Sequence, residues 1–357
     1  MAAARFNELT LNSAVAETAD AVILSFDIPA ELRDDYAFTP GQYLTLRDTI
    51  DGQDVRRSYS ICSPLGSDTL SVGVKRIDGG VFSSHALTLN AGQSLQVMTP
   101  QGRFLAPIGG EHDYLLLAAG SGITPMVSIA RSVLENEPNS TVTLCYANRS
   151  TDSVMFRTAF DDLKDQYLTR FMLTHVMDEE VQDIELFNGR LDGEKLDTMA
   201  TRGLITPADY SAIYICGPQP MIEGASTALE AMGVDKDKIK YELFTPAGGT
   251  PIASAKAIKV DPNADAAKIS VTVDGSTRSF PLLPGEKTVE AAAKAGVEFP
   301  YSCDNGMCAT CRCKLVKGDV EMAQNFSLEP WEMEAGFVLA CQVQAKSDDV
   351  QLDFDAL

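Results

Sequence analysis

No stretch of this sequence stays apolar for the roughly eighteen residues that a bilayer-crossing helix needs, so a membrane span is not expected. Residues 1–17 lack a basic region followed by an apolar core, and an export signal is not expected either. Basic residues are scarce: 29 Lys and Arg stand against 50 Asp and Glu, a formal net charge of −21. Contact with a phosphate backbone or an anionic membrane needs clustered Lys and Arg, so neither is expected as a partner. The acid-rich residues 260–357 read as a solvated surface or as a docking patch for a basic partner. Cysteine is sparse too. Eight in 357 residues is not the density of a small secreted scaffold held by disulfides. Free thiols without an export signal point to the cytoplasm.

What is present is a soluble globular composition, 45% hydrophobic and 22% charged, with ample material for a core. At about 150 residues per domain, the length suits two or three domains. The few cysteines are concentrated. Cys303, Cys308 and Cys311 follow a C-x4-C-x2-C spacing, and Cys341 stands far downstream. That is the plant-type ligand spacing of a [2Fe–2S] cluster. Soft thiolates suit such clusters. The small residues Gly306, Ala309 and Thr310 let backbone N–H groups approach the sulfurs. A zinc site and loose core thiols are the alternatives. Structural zinc sites pair two short-spaced ligand couples, and only Cys308 and Cys311 form one here. Cys313 reads as a structural neighbour.

Residues 6–16, 21–28, 42–47, 57–62, 69–76 and 94–98 read as short strands punctuated by Pro40-Gly41, Asp51-Gly52, Asp78-Gly79-Gly80 and Ala91-Gly92. The pattern predicts a small antiparallel barrel. Two segments of it carry ligand chemistry. In Arg57-Ser58-Tyr59-Ser60 a guanidinium can pair with phosphate, a ring can lie on a flat heterocycle, and a hydroxyl can bond a ring nitrogen. Lys75 and the turn Gly80-Val81-Phe82-Ser83-Ser84 lead into a helical stretch, an arrangement that suits an anion. An ordinary strand and an ordinary Ser cap are the plainer readings. Together the two segments imply an aromatic cofactor that bears phosphate.

From residue 113 strands and helices alternate, which predicts a parallel sheet. The apolar run 114–119 enters Gly120-Ser121-Gly122-Ile123-Thr124-Pro125 and then a helical pattern, 126–134. Strand, glycine turn and helix make a dinucleotide cradle, although Pro125 stands where a third glycine would be. The strand 141–147 ends in Asn148-Arg149-Ser150. An arginine there accommodates a 2′-phosphate, whereas an acid would accept from a ribose hydroxyl. NADPH is therefore favoured over NADH, and a plain surface arginine is the alternative. Helices are expected at 153–163 and 191–199. Cys216-Gly217-Pro218 ends a further strand, where open α/β sheets place ligands. Residues 245–265 are rich in Pro, Gly and Ala and read as a linker.

Taken in order, these motifs resemble the ferredoxin–NADP reductase superfamily with a plant-type ferredoxin fused at the carboxyl end. The resemblance rests on Arg57-x-Tyr59-Ser60, Gly120-x-Gly122-x-Thr124-Pro125, Cys216-Gly217-Pro218, Glu242-x-Phe244 and the four cysteines. Within it, Arg56-Arg57-Ser58-Tyr59-Ser60, Tyr146-Ala147-Asn148-Arg149 and Phe337-Val338-Leu339-Ala340-Cys341-Gln342 are similar to the reductases of phenylacetyl-CoA epoxidases. Reductases of hybrid-cluster proteins share the domain order. The resemblance implies a multidomain chain: a six-stranded antiparallel β-barrel for FAD (1–108), an α/β nucleotide-binding domain (109–246), a linker (247–266) and a β-grasp ferredoxin domain (267–357). It implies Arg57, Tyr59 and Ser60 at the flavin, and Lys75, Gly80, Phe82, Ser83 and Ser84 at the FAD phosphates. Thr124 and Cys216 would flank the nicotinamide, with Glu242 completing the catalytic set. It further implies electron flow from NADPH through FAD and [2Fe–2S] to a di-iron oxygenase. A redox-sensing electron carrier with an inactive reductase half is the rival class.

Overall fold

The computed structural model describes residues 4–244 and 265–356. They fall into two compact units, Met1–Ala247 and Gly248–Leu357. Nearly all of the expected linker lies outside the described residues.

The first unit opens with β1 (Phe6–Thr18), β2 (Ala21–Phe26), β3 (Tyr43–Ile50), β4 (Gln53–Ser60), β5 (Leu70–Lys75), α1 (Val81–Ala86) and β6 (Ser94–Met98). The strands form one six-stranded antiparallel sheet in the order β4-β3-β6-β1-β2-β5. Alternate residues such as Leu9 and Leu11, Leu24 and Phe26, Leu44 and Leu46, and Val72 and Val74 point inward, as period-two patterning requires. The sheet curls until a bridge from Ile61 to Val72 joins its edges. The β3–β4 hairpin is longer than the sequence pattern predicts. Asp51 and Gly52 take positive φ (51° and 76°), so a two-residue turn keeps Ile50 paired with Gln53.

The same unit continues with β7 (Asp113–Ala119), α2 (Ile123–Asn136), β8 (Thr141–Asn148), α3 (Arg157–Gln166), β9 (Phe171–Met177), α4 (Gly193–Thr201), β10 (Ala212–Gly217), α5 (Gln219–Ala231) and β11 (Ile239–Leu243). The sheet is wholly parallel, in the order β11-β10-β7-β8-β9. Leu116, Leu144 and Tyr146 pack on one face with Met126, Ile129 and Phe160, while Leu115, Leu117 and Ile213 pack on the other with Leu196, Met199 and Ala225. The first of these layers also takes in Ala21, Cys62, Phe104 and Ala106 from the barrel side. Helix α3 starts at Arg157, later than the pattern predicts, because Phe156 sits in the left-handed region at φ 59° and interrupts the winding. Strand β7 lies between β8 and β10, so the chain reverses direction across the sheet there. Such a switch point opens a crevice at the carboxyl ends of the strands.

The second unit contains β12 (Ala267–Val273), β13 (Ser276–Leu282), α6 (Thr288–Lys294), β14 (Arg312–Lys317), β15 (Val320–Met322), α7 (Pro330–Glu334), β16 (Phe337–Leu339), β17 (Val343–Ala345) and β18 (Asp349–Asp353). Its main sheet has the order β13-β12-β18-β14-β16, with β12 and β18 parallel and the other pairs antiparallel. Helix α6 lies on this β-grasp sheet through Val289, Ala291 and Ala292. Among the described residues no helix is long and apolar enough to cross a membrane.

Candidate functional site

At the switch point the turn Gly120-Ser121-Gly122 packs against the end of β10. A Cβ on Gly122 would lie 2.1 Å from the Cys216 carbonyl oxygen, so only glycine permits the approach. Thr124 is buried, and its hydroxyl donates to the Ser121 carbonyl at 3.0 Å. Its methyl faces Gly73 of β5, where an added Cβ would come within 2.7 Å. Pro125 is buried in the first turn of α2. Gly120 accepts at its carbonyl from the Tyr146 hydroxyl at 3.1 Å.

Cys216 stands in register with Glu242 on β11. The Ser60 hydroxyl, buried at the end of β4, donates to Glu242 Oε2 at 3.3 Å. Ser60, Cys216 and Glu242 thus come together from one barrel strand and two sheet strands. Burial, and secondarily the Glu242 carboxylate, push the Cys216 thiol well up, so it stays neutral. Phe244 packs on the apolar layer that contains Cys216. Gly217 is buried beside Met221, and Pro218 caps α5 from an exposed position. Gly122→Ala should cost about 3 kcal/mol, the upper range for overpacking, because the obstacle is backbone and cannot rotate aside. A denaturant titration of the two proteins checks this.

On the barrel, Arg57 is exposed on β4 and donates from Nη1 to the Arg56 carbonyl at 2.6 Å. The Tyr59 ring lies 5.7 Å from that of buried Phe82 in α1. Burial raises the Tyr59 phenol, which keeps it neutral. Ser83 is buried and braces its own turn, accepting from Ile77 N at 3.1 Å and donating to the Gly80 carbonyl at 3.4 Å. A side chain on Gly80 would strike the Ser83 hydroxyl. Ser84 is exposed. The exposed guanidinium, the ring and the hydroxyl on one strand suit a flavin nucleotide.

Lys75, at the end of β5, lies close to the segment that follows β8. Its ammonium donates to the Ser153 carbonyl at 3.3 Å and lies 3.7 Å from Asp20, while Arg149 reaches the same carboxylate at 3.9 Å. Burial lowers the Lys75 pKa. Ser150 and Ser153 close a capping box beside them. Sequence reasoning gave no role to Asn148. Its amide is buried at the carboxyl end of β8, and among the described residues no well-aligned hydrogen bond satisfies it, although the Tyr146 hydroxyl is close. An unmet polar group there suits a polar ligand. The signal was available: a polar residue ending an otherwise apolar parallel strand.

In the second unit the cysteine loop needs three left-handed residues, Asp304 (φ 51°), Gly306 (φ 77°) and Ala309 (φ 53°). A Cβ on Gly306 would lie 2.9 Å from the Gln324 carbonyl oxygen. Cys303 Sγ accepts from the backbone N–H groups of Met307 and Cys308, both at 3.4 Å. Cys308 Sγ lies 3.1 Å from the Thr310 hydroxyl, and Gln342 Nε2 donates to Cys341 Sγ at 3.3 Å. Cys308 first, then burial and Cys341, raise the Cys303 thiol, and Cys341 first, then burial, Cys308 and Cys303, raise that of Cys311. The Cys303 contact and Thr310 hold the Cys308 thiol below its ordinary range. Four mutually perturbing thiols, with donors aimed at sulfur, fit a two-iron cluster. Cys313 is buried, and its thiol turns to the Val338 carbonyl at 3.8 Å.

A curled antiparallel sheet, a parallel sheet with a glycine turn at its switch point, and four cysteines, three on one loop and Cys341 after β16, define a flavin- and iron–sulfur-dependent oxidoreductase that uses a nicotinamide nucleotide. Residues 8–105 match the oxidoreductase FAD-binding domain, 116–227 the oxidoreductase NAD-binding domain, and 271–346 the 2Fe-2S iron-sulfur cluster binding domain. The chain is 42% identical to a component of the 1,2-phenylacetyl-CoA epoxidase of Escherichia coli K12, over 98% of each chain. It is 36% identical to the ferredoxin reductase component of 3-ketosteroid-9-alpha-monooxygenase from Rhodococcus rhodochrous, over 97% of this chain and 96% of that one. The solved phthalate dioxygenase reductase shares the fold, with a TM-score of 0.57 at 21% identity over 98% of each chain. The chain belongs to the family of reductases that join FAD-binding, NAD-binding and [2Fe–2S] domains in one polypeptide.

Proposed function

We propose that this reductase serves an oxygenase, passing electrons from NADPH through FAD and the cluster to a di-iron component, that of a phenylacetyl-CoA epoxidase. The observation that carries the reading is the meeting of Ser60, Glu242 and Cys216 where barrel and sheet join, backed by full-length similarity to an epoxidase component. In this reading the domains divide at 1–108, 109–246 and 267–357, and the protein works in the cytoplasm.

Bound flavin would supply hydride acceptance, and a plant-type cluster near about −400 mV would supply one-electron transfer. The residues prepare the site. Ser60 presents a hydroxyl whose orientation Glu242 fixes. Neutral Cys216, at the carboxyl end of β10, would put no charge beside a nicotinamide ring. Arg57 and Tyr59 hold the flavin. Cys303, Cys308, Cys311 and Cys341 hold the irons. Purified protein should show flavin and iron–sulfur absorbance together, and NADPH should bleach both. Adding the oxygenase component of the epoxidase and phenylacetyl-CoA should then yield the epoxide in step with NADPH consumed. Flavin reduction without any transfer to that component would refute the acceptor.

Nucleotide choice follows from Arg149, which stands just after β8, with Lys75 at the end of β5 close to the same Asp20 carboxylate. Hydrogen bonds to charged groups contribute about 1.5–3 kcal/mol, and the exposure of Arg149 puts it at the low end. Arg149→Ala should raise KM for NADPH roughly tenfold and leave NADH nearly unchanged. Steady-state kinetics with both nucleotides decides it. A wild type that prefers NADH contradicts the assignment.

A further inference from the structure

Three of the four candidate ligand sulfurs have a donor within reach, and the donors differ in kind. Cys303 receives backbone N–H groups, which any sequence provides. Cys308 lies beside a hydroxyl. Cys341 receives the side-chain amide of Gln342, a residue that a substitution can remove. Gln342 is 8% exposed, so its amide is largely cut off from water. Its backbone carbonyl accepts from Ala323 N at 2.9 Å, and its side-chain stem runs under Gly306 of the cysteine loop. Its Nε2 makes contacts to the carbonyl and the sulfur of Cys341, both at 3.3 Å. The side chain is therefore held in place by the loop it serves.

We propose that Gln342 is a positioning residue that sets the reduction potential of the cluster through its N–H to Cys341 Sγ. This rests on the assignment of Cys341 as a ligand. A donor at a ligand sulfur stabilises negative charge there. One-electron reduction adds negative charge to the cluster, so the donor favours the reduced form and raises the potential. The amide is neutral, so it does this without adding a buried charge. It gains weight from the low dielectric around a buried sulfur. Reducing the cluster from the flavin becomes easier, and the onward step to the acceptor loses an equal amount of driving force. Gln342 thereby divides the potential drop between the two transfers.

The test is a redox titration of the full-length holoprotein, with Gln342→Leu against wild type, the reduced cluster read by EPR and the flavin by absorbance. At a fixed potential the ratio of reduced to oxidised cluster should fall about tenfold in the variant, equivalent to about 59 mV for one electron. The flavin midpoint in the same protein should not move. An unchanged cluster midpoint with full iron content overturns the proposal. Loss of iron in Cys341→Ser tests the ligand assignment separately, so the two failures can be told apart. Should Gln342→Leu not assemble a cluster, the wild type still decides. Protein labelled with 15N at glutamine side chains should show a nitrogen coupling to the reduced cluster, and the absence of that coupling also overturns the proposal.

Discussion

Replacing any one of Cys303, Cys308, Cys311 and Cys341 by serine should abolish the [2Fe–2S] absorbance and EPR signal, while Cys313→Ser should retain both. The contrast is informative because Cys311 and Cys313 are two residues apart and both buried. The Cys311 thiol is perturbed first by Cys341, whereas Cys313 faces the Val338 carbonyl in the strand pairing of β14 with β16. Hard serine oxygen is a poor substitute for a soft thiolate. In the Cys303 variant the shape of residues 303–308 should change as well, since its sulfur accepts the two N–H groups that hold it. Iron and sulfide analysis, with far-UV circular dichroism as a control for folding, provides the measurement. Equal cluster loss in Cys313→Ser means the wrong four have been chosen. NADPH reduction of the flavin should survive in every variant, because none of these cysteines belongs to the first unit.

Much of this was legible in the residues. Period-two alternation placed the barrel strands, and the apolar run before Gly120 placed the central parallel strand, because burial alone dictates those patterns. The cysteine spacing was readable because a cluster constrains its ligands chemically, whatever the surrounding fold. Three features were not readable. The length of the β3–β4 hairpin depends on φ at Asp51 and Gly52. The late start of α3 depends on one left-handed residue, Phe156, whose type gives no warning. The approach of Lys75 to Asp20 and Arg149 depends on how barrel and sheet pack. Gln342 was passed over for a related reason. A glutamine after a cysteine carries no signal until the fold shows the amide buried against the sulfur.

Removing residues 248–357 should leave a folded flavoprotein that still reduces ferricyanide with NADPH, yet transfers nothing to cytochrome c or to an oxygenase. Each unit has a core of its own. Among the described residues, the apolar clusters of the first unit draw on residues up to Phe244, and that of the second on residues from Ala267. Domains with separate cores fold alone. The set Ser60, Thr124, Cys216 and Glu242 lies wholly in the first unit, so hydride acceptance needs nothing from the second. One-electron delivery to a protein acceptor needs the four cysteines, which the truncation removes. The cut must keep Glu242 and Phe244. The first accepts from Ser60, and the second packs on the layer that contains Cys216. Flavin content per chain, ferricyanide turnover and cytochrome c turnover are the three readings, and the expected pattern is full, near full and none. A truncate that loses its FAD would show that the ferredoxin unit helps to build the flavin site, and the modular account would then be wrong.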